Sequence, residues 1–236
     1  MVYLLSNIGS YHRESNGENQ DVVCQSSNKR YAVISLADGV STCSRAKQGA
    51  EIASEAITNL FLKKADFFLN FDRRQIVEFA LSHIRYSLAK QAETDHANIC
   101  EYSSTVASVL YDRRERKLLY FNLGDSLILA VDQGKCRILS VPANSMDGCC
   151  VTTTKDAATT VQTDVIDAVS FESILICSDG AWAHMFEKNK MKQEVKDLLC
   201  VGDFEALAAY LDSQEGYDDY SFVALNTVSK DRRNSA

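Results

Sequence analysis

At 236 residues and 26.2 kDa, with a net charge of −7 and a pI near 5.2, the chain presents no cationic footprint for nucleic acid, its basic residues being scattered rather than massed. Its apolar runs are strand-sized, well short of the ~20 residues that cross a bilayer. MVYLLSNIGS has neither the positive lead nor the length of an export signal, so a soluble, cytoplasmic protein, without membrane or nucleic-acid partners, is expected.

A single proline, Pro142, and the lack of Gly/Ser-rich or low-complexity stretches leave no sign of a linker. One domain is expected over 1–228, with a short flexible tail over 229–236. Without an export signal, the eight cysteines are expected as free thiols. None lies in a CxxC pair, which disfavours zinc, and vicinal Cys149-Cys150 is an oxidant-sensing option.

Strands are predicted at Val2 to Ile8, Asp21 to Gln25 and Tyr31 to Ala37. A helix follows from Ser44, where Ala46, Ala50, Ala53, Ile57 and Leu60 form one stripe, and a second after an Asp72 N-cap carries Val77, Ala80, Leu81, Ile84 and Leu88. Ser104 to Tyr111, Lys117 to Asn122, Leu127 to Val131 and Cys136 to Val141 read as a meander of adjacent antiparallel strands. The polar, Thr-rich stretch from Asn144 to Asp167 suggests a surface excursion with one or two short strands.

SILICSD returns to a buried strand. Two helices are then expected, one carrying Met191, Val195, Leu198 and Leu199, the other Phe204, Leu207, Ala208 and Leu211, before a last strand from Tyr220 to Thr227. Strands in meanders with helices in pairs predict α+β layers, a sheet sandwich flanked by helix pairs.

Four apolar runs begin or end at aspartate: YAVISLADG at Asp38, LLYFNLGDS at Asp125, SILICSDG at Asp179, and DDYSFVAL at Asp218. One Asp-Gly after a strand is a turn, but four carboxylates at the ends of strands from one core can converge on a divalent cation.

The order of these motifs resembles the metal-dependent Ser/Thr protein phosphatases of type 2C, the PPM family, in a small, bacterial-like form. GSYHRESNGENQD is similar to that family's arginine-then-Asn-Glu/Gln-Asp element, LADGV to its Asp-Gly element, and EYSSTVASVLYD to its small-residue/Thr strand. NLGDS, ICSDGAW and DDYSFVAL follow in family order. The resemblance implies a four-layer αββα sandwich of two mostly antiparallel sheets, two Mg²⁺ or Mn²⁺ ions and hydrolysis of phosphoserine and phosphothreonine by a metal-activated water. It also implies a phosphoprotein substrate, an opposing Ser/Thr kinase and a monomer.

By position, Asp38 would bridge the metals with the Gly39 carbonyl on one of them, Asp179 and Asp218 would hold the other, and Asp21 would complete the second site. Arg13 would grip the substrate phosphate, with His12 as the alternative because Gly17 and Glu18 lengthen the stretch before Asn19. Asp125 matches a ligand for a third metal, but it can equally close a hairpin, and Ala183 leaves that third site short of a ligand. Gln20 replaces the commoner glutamate, and Val40-Ser41-Thr42 leave no imidazole after Asp38-Gly39. Trp182 is expected to pack under the site.

Two alternatives remain open in the residues. Cys24 and Arg30 have the C-x5-R spacing of thiol phosphatases, although Arg30 runs into a strand rather than a phosphate-binding helix. A phosphatase-like regulatory module would keep the fold without turnover.

Overall fold

The structure, a computed structural model, describes residues 1–15, 17–145, 148–214 and 216–227. It opens with β1 (Val2–Asn7), α1 (Ser10–Glu14), β2 (Asp21–Ser27) and β3 (Tyr31–Asp38), followed by α2 (Ala46–Lys63), α3 (Ala65–Phe68) and α4 (Arg73–Thr94). Four strands come next: β4 (Val106–Asp112), β5 (Lys117–Leu123), β6 (Leu127–Asp132) and β7 (Lys135–Ser140). A small hairpin of β8 (Asn144–Ser145) and β9 (Gly148–Cys149) leads to α5 (Ala157–Thr160), β10 (Gln162–Asp167) and β11 (Phe171–Cys177). The chain continues through α6 (Asp179–Met185), the hairpin β12 (Phe186–Glu187) and β13 (Lys190–Met191), α7 (Gln193–Val201), α8 (Phe204–Asp212) and β14 (Tyr220–Asn226).

Two five-stranded antiparallel sheets result, in the orders β1-β14-β11-β6-β7 and β10-β5-β4-β3-β2. Period-two alternation sends each strand's residues to two different apolar layers. In β3, Val33 and Ala37 meet α2 and α4 while Ile34 and Leu36 face the other sheet; in β11, Leu175 and Cys177 meet α6, α7 and α8 while Ile174 and Ile176 face inward. Central strands buried on both faces and helices outside give the expected four-layer αββα sandwich. Asp72 caps α4 in a full capping box with Gln75.

The meander is not continuous. β4 pairs with β5 and β6 with β7, but β5 and β6 lie in different sheets. NLGDS is therefore a crossing between sheets and not a hairpin. Gly124 turns it at φ 118, a conformation that favours glycine, and the Asn122 side chain donates to the Ser126 carbonyl and Ser140 Oγ at 2.7 and 2.9 Å. Within the expected surface excursion, β10 is a full strand, paired with β5 from Lys117 to Asn122. Met191 sits in the β12–β13 hairpin, one element before the helix that its apolar spacing suggested. The short helices α1 and α6 had no sequence signal.

Seven cysteines are free thiols, while the Cys149 side chain and the 229–236 tail lie outside what is described. Among the described residues no helix is long and apolar enough to cross a membrane.

Candidate active site

The aspartates gather because strand ends gather. β2 and β3 pair in a register that sets Asp21 opposite Asp38, so both project on one face at the same end of the sheet. Asp38 is fixed from β4: its N–H donates to Thr105 Oγ1 at 3.1 Å, and the Thr105 N–H donates back to the Asp38 carbonyl at 2.8 Å. Beyond it the chain must pass the start of α2 closely. A Cβ on Gly39 would stand 2.6 Å from the Ala46 carbonyl carbon and oxygen, so only glycine fits. Gly39→Ala is expected to cost about 1–3 kcal/mol as overpacking, read as a lower melting temperature; an unchanged melt would show that α2 yields freely.

The other sheet supplies the rest. The Ser178 N–H donates to the Ser221 carbonyl at 3.0 Å and the Ser221 N–H to Ser178 Oγ at 2.9 Å, drawing the end of β11 to the start of β14 and setting Asp179 beside Asp218. The crossing from β5 to β6 delivers Asp125, whose carbonyl accepts the Trp182 indole N–H at 2.9 Å. Trp182 thus braces the site from α6, as expected.

Asp38, Gly39, Asp125, Asp179 and Asp218 line one cavity of about 230 Å³, with His12, Val40, Ser41, Thr105 and Val151 completing its wall. Among the described residues no lysine or arginine lines it. Asp21 lies behind Asp38, buried among Ser178, Ser221, Asp179 and Asp219. Val151, from the polar excursion, gave no sequence signal.

These carboxylates are poorly matched to one another without a cation. Burial and then the charges of Asp21, Asp179, Asp125 and Asp218 push the Asp38 carboxyl well above the ordinary range. Burial raises Asp21 likewise, against hydrogen bonds from Ser178 and Ser221. Asp179 rises to about 6 through burial and then the charges of Asp125 and Asp218. Buried Asp21 Oδ2 and Gln20 Oε1 have no hydrogen-bond partner.

Among the described residues no three acidic, thiol or imidazole groups close on a single point. All-oxygen donors, surplus negative charge and orphaned buried oxygens fit hard divalent cations.

Arg13 does not reach this cavity. Its guanidinium donates to the Ile8 carbonyl at 2.8 Å and lines a separate cavity of about 560 Å³ beside Glu14, Asp212 and Gln214. Adjacent residues on the single turn of α1 diverge by about 100°, so it is His12 that faces the carboxylates.

The C-x5-R pair is dispersed as well. Cys24 Sγ lies 3.3 Å from Ser54 Oγ with burial raising its thiol, while Arg30 is engaged by Asp112, its Nε and Nη2 both donating to Oδ2 at 3.0 and 2.8 Å. Neither lines the cavity.

A family model described as protein phosphatase 2C matches residues 8–214. The chain belongs to the protein phosphatase 2C family. That family comprises serine/threonine phosphatases, phosphomonoester hydrolases that depend on metal ions, typically Mg²⁺ or Mn²⁺.

Solved structures share its fold. A bacterial serine phosphatase superposes with a TM-score of 0.70 at 13% identity, over 97% of this chain and 98% of that one. The serine/threonine phosphatase of S. agalactiae gives 0.66 at 17%, over 95% and 98%, and RsbX in complex with magnesium gives 0.57 at 13%, over 94% and 92%. Among curated protein sequences nothing matches this chain.

Proposed function

We propose that this protein phosphatase 2C family member is an active, Mg²⁺- or Mn²⁺-dependent phosphatase acting on phosphoserine and phosphothreonine in proteins. One observation carries the reading: Asp38, Asp125, Asp179 and Asp218, delivered by both sheets, face a single cavity lined, among the described residues, by no lysine or arginine. When bound, two divalent ions would supply a water nucleophile active near neutral pH and neutralise charge on the phosphoryl oxygens.

The chain's own residues hold and orient. Asp38, rigidly placed by Thr105, would be shared by both ions with the Gly39 carbonyl beside it. Asp179 and Asp218 would hold one ion, Asp21 would support the second from behind, and Asp125 would serve a third. The substrate would be a phosphorylated protein made by a Ser/Thr kinase.

The test is hydrolysis of p-nitrophenyl phosphate and a phosphothreonine peptide by the purified protein. Mn²⁺-dependent turnover, lost on chelation and unchanged in Cys24→Ser, is expected. Turnover that survives chelation would overturn the reading, and Mn²⁺ binding without turnover would identify a phosphatase-like regulatory module instead.

A further inference from the structure

We infer that His12, and not an arginine, holds the substrate's phosphoryl group in this site, donating from Nε2; this rests on the phosphatase reading above. Among the described residues that line the cavity, His12 alone can carry positive charge. Its Nδ1 lies 2.9 Å from Asp219 Oδ2, in a pair buried on both sides. That carboxylate is itself clamped, Oδ1 accepting the Gly9 N–H at 2.8 Å and Oδ2 the Gln20 N–H at 2.7 Å. Asp219 therefore fixes which edge of the imidazole is occupied and leaves Nε2 as the free ring nitrogen.

The ring is also held on its flanks. The Gly17 N–H donates to the His12 carbonyl at 2.7 Å, and a Cβ on Gly17 would sit 3.4 Å from His12 Cβ and Cδ2. Gly17, in the stretch that lengthens the approach to Asn19, thus packs against one edge of the imidazole. Tyr11 adds a ring at 5.2 Å between centroids. The result is a cation, when both nitrogens carry protons, bridged between a fixed carboxylate and the cavity. An anionic phosphoryl oxygen is the ligand class that completes it.

The neutral ring would present a lone pair instead and serve a metal ion. The experiment separates the two, using inorganic phosphate titrated calorimetrically into the Mn²⁺-loaded protein alongside p-nitrophenyl phosphate kinetics and Mn²⁺ affinity. His12→Gln is expected to weaken phosphate binding and raise KM by about tenfold each, a typical value for one charge-assisted contact, with Mn²⁺ affinity within about twofold.

His12→Arg should restore most of the loss, which a purely structural role would not. Arg13→Ala should change neither quantity. A tenfold fall in Mn²⁺ affinity for His12→Gln would make His12 a metal ligand and overturn the proposal. So would weakened phosphate binding in Arg13→Ala with none in His12→Gln. If the unaltered protein binds phosphate through His12 yet never turns substrate over, the phosphatase reading fails and the phosphate contact stands.

Discussion

Replacing Asp38 with asparagine is expected to lower Mn²⁺-dependent turnover by about 10³-fold or more while raising the melting temperature of the metal-free protein. Both effects have one cause. Asp38 is half-buried beside four other carboxylates, and each raises the cost of its charge. With metal bound, that charge would serve as a ligand; without metal, it is an uncompensated one, and an amide of the same shape removes the repulsion.

The pH dependence follows. Asp179 has a folded pKa of about 6 against 3.8 as the reference, and Asp21 and Asp38 are raised too. The folded metal-free state then binds more protons than the unfolded one, so its stability falls as pH rises from about 4 through about 6. Metal should therefore raise the melting temperature far more at pH 7.5 than at pH 5, and Asp38→Asn should shrink the difference. Melting curves at both pH values, with Mn²⁺ or chelator, decide this. A metal-free variant that melts lower than the parent would mean that Asp38 is stabilised by something other than a cation.

Asp219→Ala is expected to destabilise the protein by about 3–5 kcal/mol, roughly 10 °C in melting temperature for a chain of this size. Its carboxylate accepts from the Gly9 N–H, the Gln20 N–H and His12, all across about two hundred residues of sequence. Alanine would strand two backbone donors and an imidazole in a buried setting. Asp219→Asn, which keeps one acceptor oxygen, should lose less. A melt within 2 °C of the parent for the alanine variant would show that water takes over these groups.

Sequence pattern exposed much of this fold because both periodicities are strong in it. The Ala46 to Leu60 stripe and the double-faced YAVISLA run each became the element their spacing implied, and the Asp-Gly and Gly-Asp-Ser elements marked strand ends that meet. What stayed hidden depends on contacts far along the chain. NLGDS reads as a tight turn whether its flanking strands pair or part; burial of β5 and β6 in different sheets decides between them. His12 and Arg13 are neighbours in sequence, and only the rotation of a five-residue helix, pinned at Asp219, gives one to the carboxylates and the other to a separate cavity. Asp219 itself looks like a second copy of Asp218, and only its three partners reveal a different task.

The position of β14 between β1 and β11 has a consequence for translation. One whole sheet, with α2 and α4 on it, is encoded before residue 168 and can assemble as the chain emerges. The first strand cannot. Among the described residues β1 pairs as a strand only with β14, and the segment carrying His12 is pinned by Asp219, so residues 1–20 complete their contacts only once β14 has been made. A ribosome-bound chain halted near residue 210 would hold a formed half-sandwich and an unassembled cavity. The cavity is thereby left incomplete until synthesis has passed β14, and a product terminated before it would lack Asp218 and the Asp219 clamp on His12.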